Sequence, residues 1–168
     1  MAIVFLGLGS NIGDRVNNIR KARELISASG NMEVKGVSSF FEGEAIGVTQ
    51  QADYINYVVK VETDLDPHAL LAETKAIEGR MGRKPDTHLM PRLIDIDILL
   101  YDDLDLESLD LMIPHSRLKS RRFVLEPLLE IDPDLIDPVS SRPLRDFIKS
   151  VESQRLTKLN ISQEAANA

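Results

Sequence analysis

The chain has 168 residues, no cysteine and a formal net charge of −7. That length suits one domain, which would bury about 70% of its unfolded surface. The lack of cysteine excludes disulfides, zinc–thiolate centres and thiol nucleophiles. Net acidity argues against a footprint for nucleic acid or anionic membrane. The apolar run Ala2 to Leu8 has no basic residues before it and is too short to span a membrane. A cytoplasmic monomer acting on small molecules is expected.

Ala2–Leu8 reads as a buried strand ending at Gly9. Asp14 is placed to cap a helix carrying Val16, Ile19, Ala22 and Ile26, which Gly30 closes. Val34–Phe41 is the second strand, and Tyr54–Thr63, rich in β-branched and aromatic residues, the third. Asp66-Pro67 starts a helix whose apolar residues Leu70, Ile77 and Met81 hold helical spacing up to Gly82. Leu93–Tyr101 is the fourth strand. The order β-α-β-β-α-β predicts an α+β, ferredoxin-like sandwich with an antiparallel sheet, helices on one face and C-terminal helical additions. Those additions comprise a Pro114-His115 turn, a short basic helix or loop, and a helix over Pro143 to Val151. Residues 1–152 are expected to form the single domain, with 153–168 a loosely held tail.

The stretch from Pro91 to Leu100 carries the chemistry. Strand alternation places Ile94, Ile96 and Ile98 on one face, with Asp95 and Asp97 together on the other. Two strand steps separate their Cα atoms by about 6.6 Å, so both carboxylates reach one cation or bridge two. Magnesium fits such a pair, because it takes few carboxylates and completes its shell with water and phosphate oxygens. A wet acidic face on an edge strand is the other reading. Arg92 projects near the same patch, either toward phosphate or merely toward Asp95. Arg117, Lys119, Arg121 and Arg122 form a basic cluster suited to a small polyanion, or a solvated surface. His115 stands just before that cluster, as a phosphate donor or a structural histidine. No Walker A lysine motif is present, and Gly7-Leu8-Gly9-Ser10-Asn11-Ile12-Gly13 misses the dinucleotide fingerprint by one residue. Gly9-Ser10-Asn11 reads instead as a strand-to-loop turn whose polar groups face a site.

These pieces resemble the 6-hydroxymethyl-7,8-dihydropterin pyrophosphokinases. The shared pieces run in order: Gly9-Ser10-Asn11, Val37-Ser38-Ser39-Phe40-Phe41, Asp53-Tyr54-Ile55-Asn56, Glu78, Pro91-Arg92-x-x-Asp95-x-Asp97, Pro114-His115 and Arg121-x-Phe123-x-x-x-Pro127-Leu128. The resemblance implies ATP as co-substrate, a dihydropterin acceptor and two magnesium ions held by Asp95 and Asp97. It implies that Arg92, His115 and Arg121, joined by Lys119 of the basic cluster, bind ATP, with Glu78 on the nucleotide side. Tyr54 and Phe123 would flank the pterin and Asn56 would bond its edge, with Gly47 also on the acceptor side. Three departures stand out: Leu89-Met90 where the family commonly has Trp-Gly, Gly43-Glu44-Ala45 after the second strand, and Lys75 in place of a frequent glutamine. A pyrophosphokinase for a modified pterin-like acceptor, and a non-catalytic pterin or nucleotide-binding module, are the alternatives that share these residues.

Overall fold

The computed structural model describes residues 1–44, 51–82 and 91–164. In its main sheet, β1 (Ala2–Ser10) pairs antiparallel with β4 (Tyr54–Thr63) on one side and β5 (Asp95–Tyr101) on the other. β2 (Met32–Val37) and β3 (Phe40–Gly43) follow one another along β4, and β8 (Leu156–Leu159) adds to the outer edge of β3. The order is therefore β5-β1-β4-β3-β8, with β2 also on β4, and every pairing is antiparallel. A small hairpin of β6 (Leu106–Glu107) and β7 (Met112–Ile113) lies apart from this sheet.

Alternation divides the sheet's side chains into two cores. Val4, Leu6, Leu8, Ile55, Tyr57, Val59, Val61, Ile96 and Ile98 face α1 (Arg15–Ala28) and α2 (Pro67–Arg80), meeting Ile19, Ala22, Ile26, Leu70 and Ile77. Phe40 stacks on Tyr57 in this layer, with ring centroids 4.6 Å apart. Phe5, Val58, Leu99 and Leu100 face the other way, under α3 (Arg122–Ile131), whose Val124, Leu125 and Leu128 cover them. A register shift between Phe5 and Leu6 interrupts the β1–β5 ladder beside these two leucines. Both N-caps act as the sequence predicts. The Asp14 carboxylate accepts from Asn17 N at 3.3 Å, and that of Asp66 accepts from Ala69 N at 2.8 Å ahead of Pro67. Gly30 follows α1 with φ +77°, a conformation that favours glycine.

The structure corrects several expectations. The second predicted strand is broken at Ser38–Ser39. Ser38 N donates to Val58 O, and its hydroxyl accepts from Val58 N at 2.9 Å, so the serine side chain serves the ladder while the chain bends. Helices cover both faces of the sheet, because α3, which the sequence reading missed, packs opposite α1 and α2. The helix expected over Pro143–Val151 is a 3-10 turn, Leu144–Phe147, running into α4 (Ile148–Val151). The stretch after Glu152 is no loose tail through residue 164: β8 is a strand of the main sheet. Beyond it, Gln163 Oε1 accepts from Tyr57 OH at 2.7 Å and its amide donates to Ser38 O at 3.0 Å. Among the described residues no helix is long and apolar enough to cross a membrane.

Candidate active site

On β1, Gly7 lies between Asp97 of β5 and Val58 of β4, and Gly9 between Asp95 and Asn56. These glycines leave the middle of the α3-side face without side chains at that end of the sheet. The carboxylates therefore stand across a shallow floor from Asn56 and Tyr54. A Cβ at Gly9 would lie 3.3 Å from a Tyr54 ring carbon and 3.7 Å from the Asn56 amide oxygen. The floor is thus tight as well as bare, and a larger residue there would push Tyr54 aside.

Asp95 and Asp97 share one face of β5, as alternation predicts. The Arg92 guanidinium is 3.4 Å from an Asp95 carboxylate oxygen. His115 Nε2 is 3.8 Å from Asp97 Oδ2, while its Nδ1 accepts from Arg117 N at 3.1 Å. That hydrogen bond assigns the ring proton of neutral His115 to Nε2, which then points at the carboxylate pair. Burial, reinforced by the charge of Arg121, keeps the His115 pKa below its ordinary value. The Asp97 carboxyl moves the other way, pushed up to about 7 by burial, then by the negative charges of Asp95 and Glu78. Its side chain nonetheless keeps 38% of its surface open to solvent, so ligands can reach it.

Arg121 precedes α3, with its guanidinium carbon 5.3 Å from the centre of the Phe123 ring. Its charge is felt by Asp97 and His115, and it feels Asp95 and Tyr54 in turn, so it lies among the same group. Glu78 reaches the pair from behind. Its side chain is only 3% exposed; one oxygen accepts from Ile96 N at 2.7 Å and the other lies 3.2 Å from Lys75 Nζ. Glu78 thus grips the backbone between the two aspartates. Lys75, a departure from the family pattern, pairs with it.

Lys119 is placed differently from the sequence expectation. Its ammonium is 3.0 Å from the wholly buried Asp137 and 5.2 Å from the centre of the Phe147 ring, so it ties the C-terminal elements together. Burial opposes ionisation of Asp137, but bonds from Ser140 and Lys119 outweigh it and hold that carboxyl below the ordinary range. Gly47 and residues 86–90 lie outside the described residues.

Asn11, the last residue of the Gly9-Ser10-Asn11 turn, organises the rim. Its amide donates to Gln51 Oε1 at 3.0 Å and Ala52 O at 3.3 Å, and its Oδ1 accepts from Arg92 N at 2.6 Å. Its backbone N donates to Arg92 O at 2.9 Å. A buried asparagine directly after a strand was the available signal. The partners lie 40 and 81 residues away, and no local pattern reveals them.

A carboxylate pair beside two arginines and a histidine, opposite aromatic and amide side chains on an antiparallel α/β frame, defines a protein equipped for phosphoryl chemistry. The chain belongs to the 7,8-dihydro-6-hydroxymethylpterin-pyrophosphokinase family, whose sequence profile matches residues 5–133. It is 43% identical over 147 residues to the 2-amino-4-hydroxy-6-hydroxymethyldihydropteridine pyrophosphokinase of Aquifex aeolicus, covering 88% of this chain and 91% of that one. The Haemophilus influenzae pyrophosphokinase of the same name is 36% identical over 160 residues, with 95% and 99% coverage. Among solved structures, the HPPK-DHPS protein of Plasmodium falciparum with pteroate superposes with a TM-score of 0.71 at 15% identity, covering 89% of this chain and 44% of that one. At that identity the likeness concerns the fold, and this chain spans under half of that protein.

Proposed function

We propose that this protein transfers the β,γ-pyrophosphoryl group of ATP to the hydroxymethyl oxygen of 6-hydroxymethyl-7,8-dihydropterin, a step of folate synthesis. The observation that carries the reading is the Asp95–Asp97 pair facing Tyr54 and Asn56 across the glycine floor, in a chain of this family. The hydroxyl oxygen forms a bond to the β-phosphorus and loses its proton. The bond from that phosphorus to the α,β-bridging oxygen breaks, and AMP leaves with the oxygen.

Arg92 and Arg121 hold phosphate oxygens as guanidinium clamps, and His115 donates from Nε2. Neutral His115 donates without adding a charge to the pair. Tyr54 and Phe123 flank the flat ring, with Asn56 bonding its edge. Glu78 serves the site by fixing Ile96. The bare glycine floor lets both substrates lie close to the sheet, and reach and orientation supply much of the rate.

Asp95 and Asp97 would hold magnesium, with two ions expected. The residues fit it: both donors are oxygens, and the raised Asp97 pKa marks unbalanced negative charge that a divalent cation offsets. Bound there with phosphate oxygens and water, magnesium would neutralise charge on the triphosphate. The strand order β5-β1-β4-β2, with α1 and α2 on one face, supports the ferredoxin-like reading of the core. We take residues 1–152 as a single domain to which β8 adds an edge, acting as a cytoplasmic monomer on small molecules and not on nucleic acid or membrane.

The test is AMP release from ATP, followed chromatographically with and without the dihydropterin and with and without magnesium. AMP is expected only when all components are present. AMP formation at the same rate without the pterin, or none with it, would overturn the assignment and favour a different acceptor or a binding module.

A further inference from the structure

The acceptor side of the site is built in part by residues beyond the family profile, which ends at residue 133. Asp53, immediately before Tyr54, is held by two arginines from distant elements. Arg155, just ahead of β8, grips its carboxylate with both guanidinium nitrogens, at 2.8 and 3.0 Å. Arg15, at the start of α1, donates to the Asp53 carbonyl at 2.8 Å and lies 2.7 Å from Glu42. The Arg155 contact is the main reason the Asp53 carboxyl titrates below its ordinary range.

From Arg155 the chain runs along β3, pairing Leu156 with Gly43, Thr157 with Glu42, Lys158 with Phe41 and Leu159 with Phe40. Leu156 closes against Gly43: a Cβ there would stand 3.1 Å from a leucine methyl, 3.3 Å from Arg155 O and 3.7 Å from the Asn56 amide nitrogen. The far end is locked by Gln163, which bonds Tyr57 and Ser38 and takes a 2.9 Å bond from Arg23 to its carbonyl. A segment fastened at both ends thus lies along β3, which itself pairs with the part of β4 carrying Tyr54 and Asn56, while Arg155 reaches Asp53 at the start of β4.

We propose that residues 155–163 form a positioning strap for the acceptor, in which Arg155 fixes Asp53 and thereby sets the place of Tyr54. The inference rests on the acceptor-side role given to Tyr54 and Asn56 above. Arg155 is 57% exposed and Asp53 30% exposed, and exposed ion pairs add little to global stability. The effect of the pair therefore falls on geometry at its neighbour, where a small misplacement weakens binding strongly.

Arg155→Ala in the full chain should raise the KM for the dihydropterin about 5- to 10-fold while leaving the KM for ATP and the melting temperature nearly unchanged. Arg155→Lys should recover part of the loss, and the charge exchange Asp53→Arg with Arg155→Asp most of it. Amide hydrogen exchange on the substrate-free protein gives a readout independent of activity: Arg155→Ala should speed exchange across residues 53–56. Unchanged pterin KM with unchanged exchange would overturn the strap, as would equal rises in both KM values. If wild-type protein fails to bind the dihydropterin, followed by the pterin's own fluorescence, the acceptor assignment falls and this role falls with it. Exchange at 53–56 then still reports whether Arg155 holds Asp53, which separates the two failures.

Discussion

Asp97→Asn should reduce pterin-dependent AMP formation by about 10³-fold or more, in line with losing a preorganised group at a centre of developing charge. The same substitution should make the metal-free protein more stable. Burial, and then the negative charges of Asp95 and Glu78, raise the Asp97 pKa from 3.8 to about 7. The sign follows from linkage. Between those two pH values the folded chain binds more protons than the unfolded chain, so stability falls as pH rises through the window. Asparagine carries no charge to bury and escapes that loss. With cations removed by chelator, melting curves of the two proteins should coincide near pH 4 and separate as pH rises, with the variant higher by about 2–4 °C above pH 7. The figure is modest because Asp97 is partly exposed and solvent screens its charge. A variant that retains turnover would remove Asp97 from the phosphate-handling group. One that melts lower at neutral pH would show that the fold needs its charge.

Glu78→Ala should cost about 1–3 kcal/mol in urea unfolding and lower kcat as well, because it removes the acceptor of Ile96 N. Ile96 is the residue between Asp95 and Asp97, so slack in its backbone misaligns both carboxylates. Glu78→Gln keeps an acceptor in the same place and should restore most of the stability and activity. It also removes one of the negative charges that raise the Asp97 pKa. If glutamine proves as damaging as alanine, the charge of Glu78 matters more than its grip on Ile96. A direct role toward the nucleotide would then replace the positioning role.

What could be read from the sequence was what is encoded locally. Asp14 and Asp66 cap the helices they precede, and alternation along 94–98 puts both aspartates on one face, because caps and strand faces depend on neighbours within a few residues. Features set at long range were missed. α3 hid because its N-terminus has no side-chain cap and Pro127 lies within it; its apolar side forms only against Phe5, Val58 and Leu99. β8 is four residues, Leu-Thr-Lys-Leu, with its middle two exposed, and it becomes a strand because β3 offers an open edge. Lys119 was grouped with Arg121 by proximity in the chain, but the 3-10 turn Leu118–Ser120 delivers it to Asp137, eighteen residues later. The Arg155–Asp53 contact spans 102 residues and appears only when the sheet is assembled.

Two phosphoryl groups move together to the pterin, and the fate of ATP labelled at its β-phosphorus reports that transfer. With magnesium and 6-hydroxymethyl-7,8-dihydropterin, the label should leave with the pterin as a diphosphate while the AMP formed carries none. Label appearing in ADP or in free pyrophosphate, with the pterin unmodified, would contradict it.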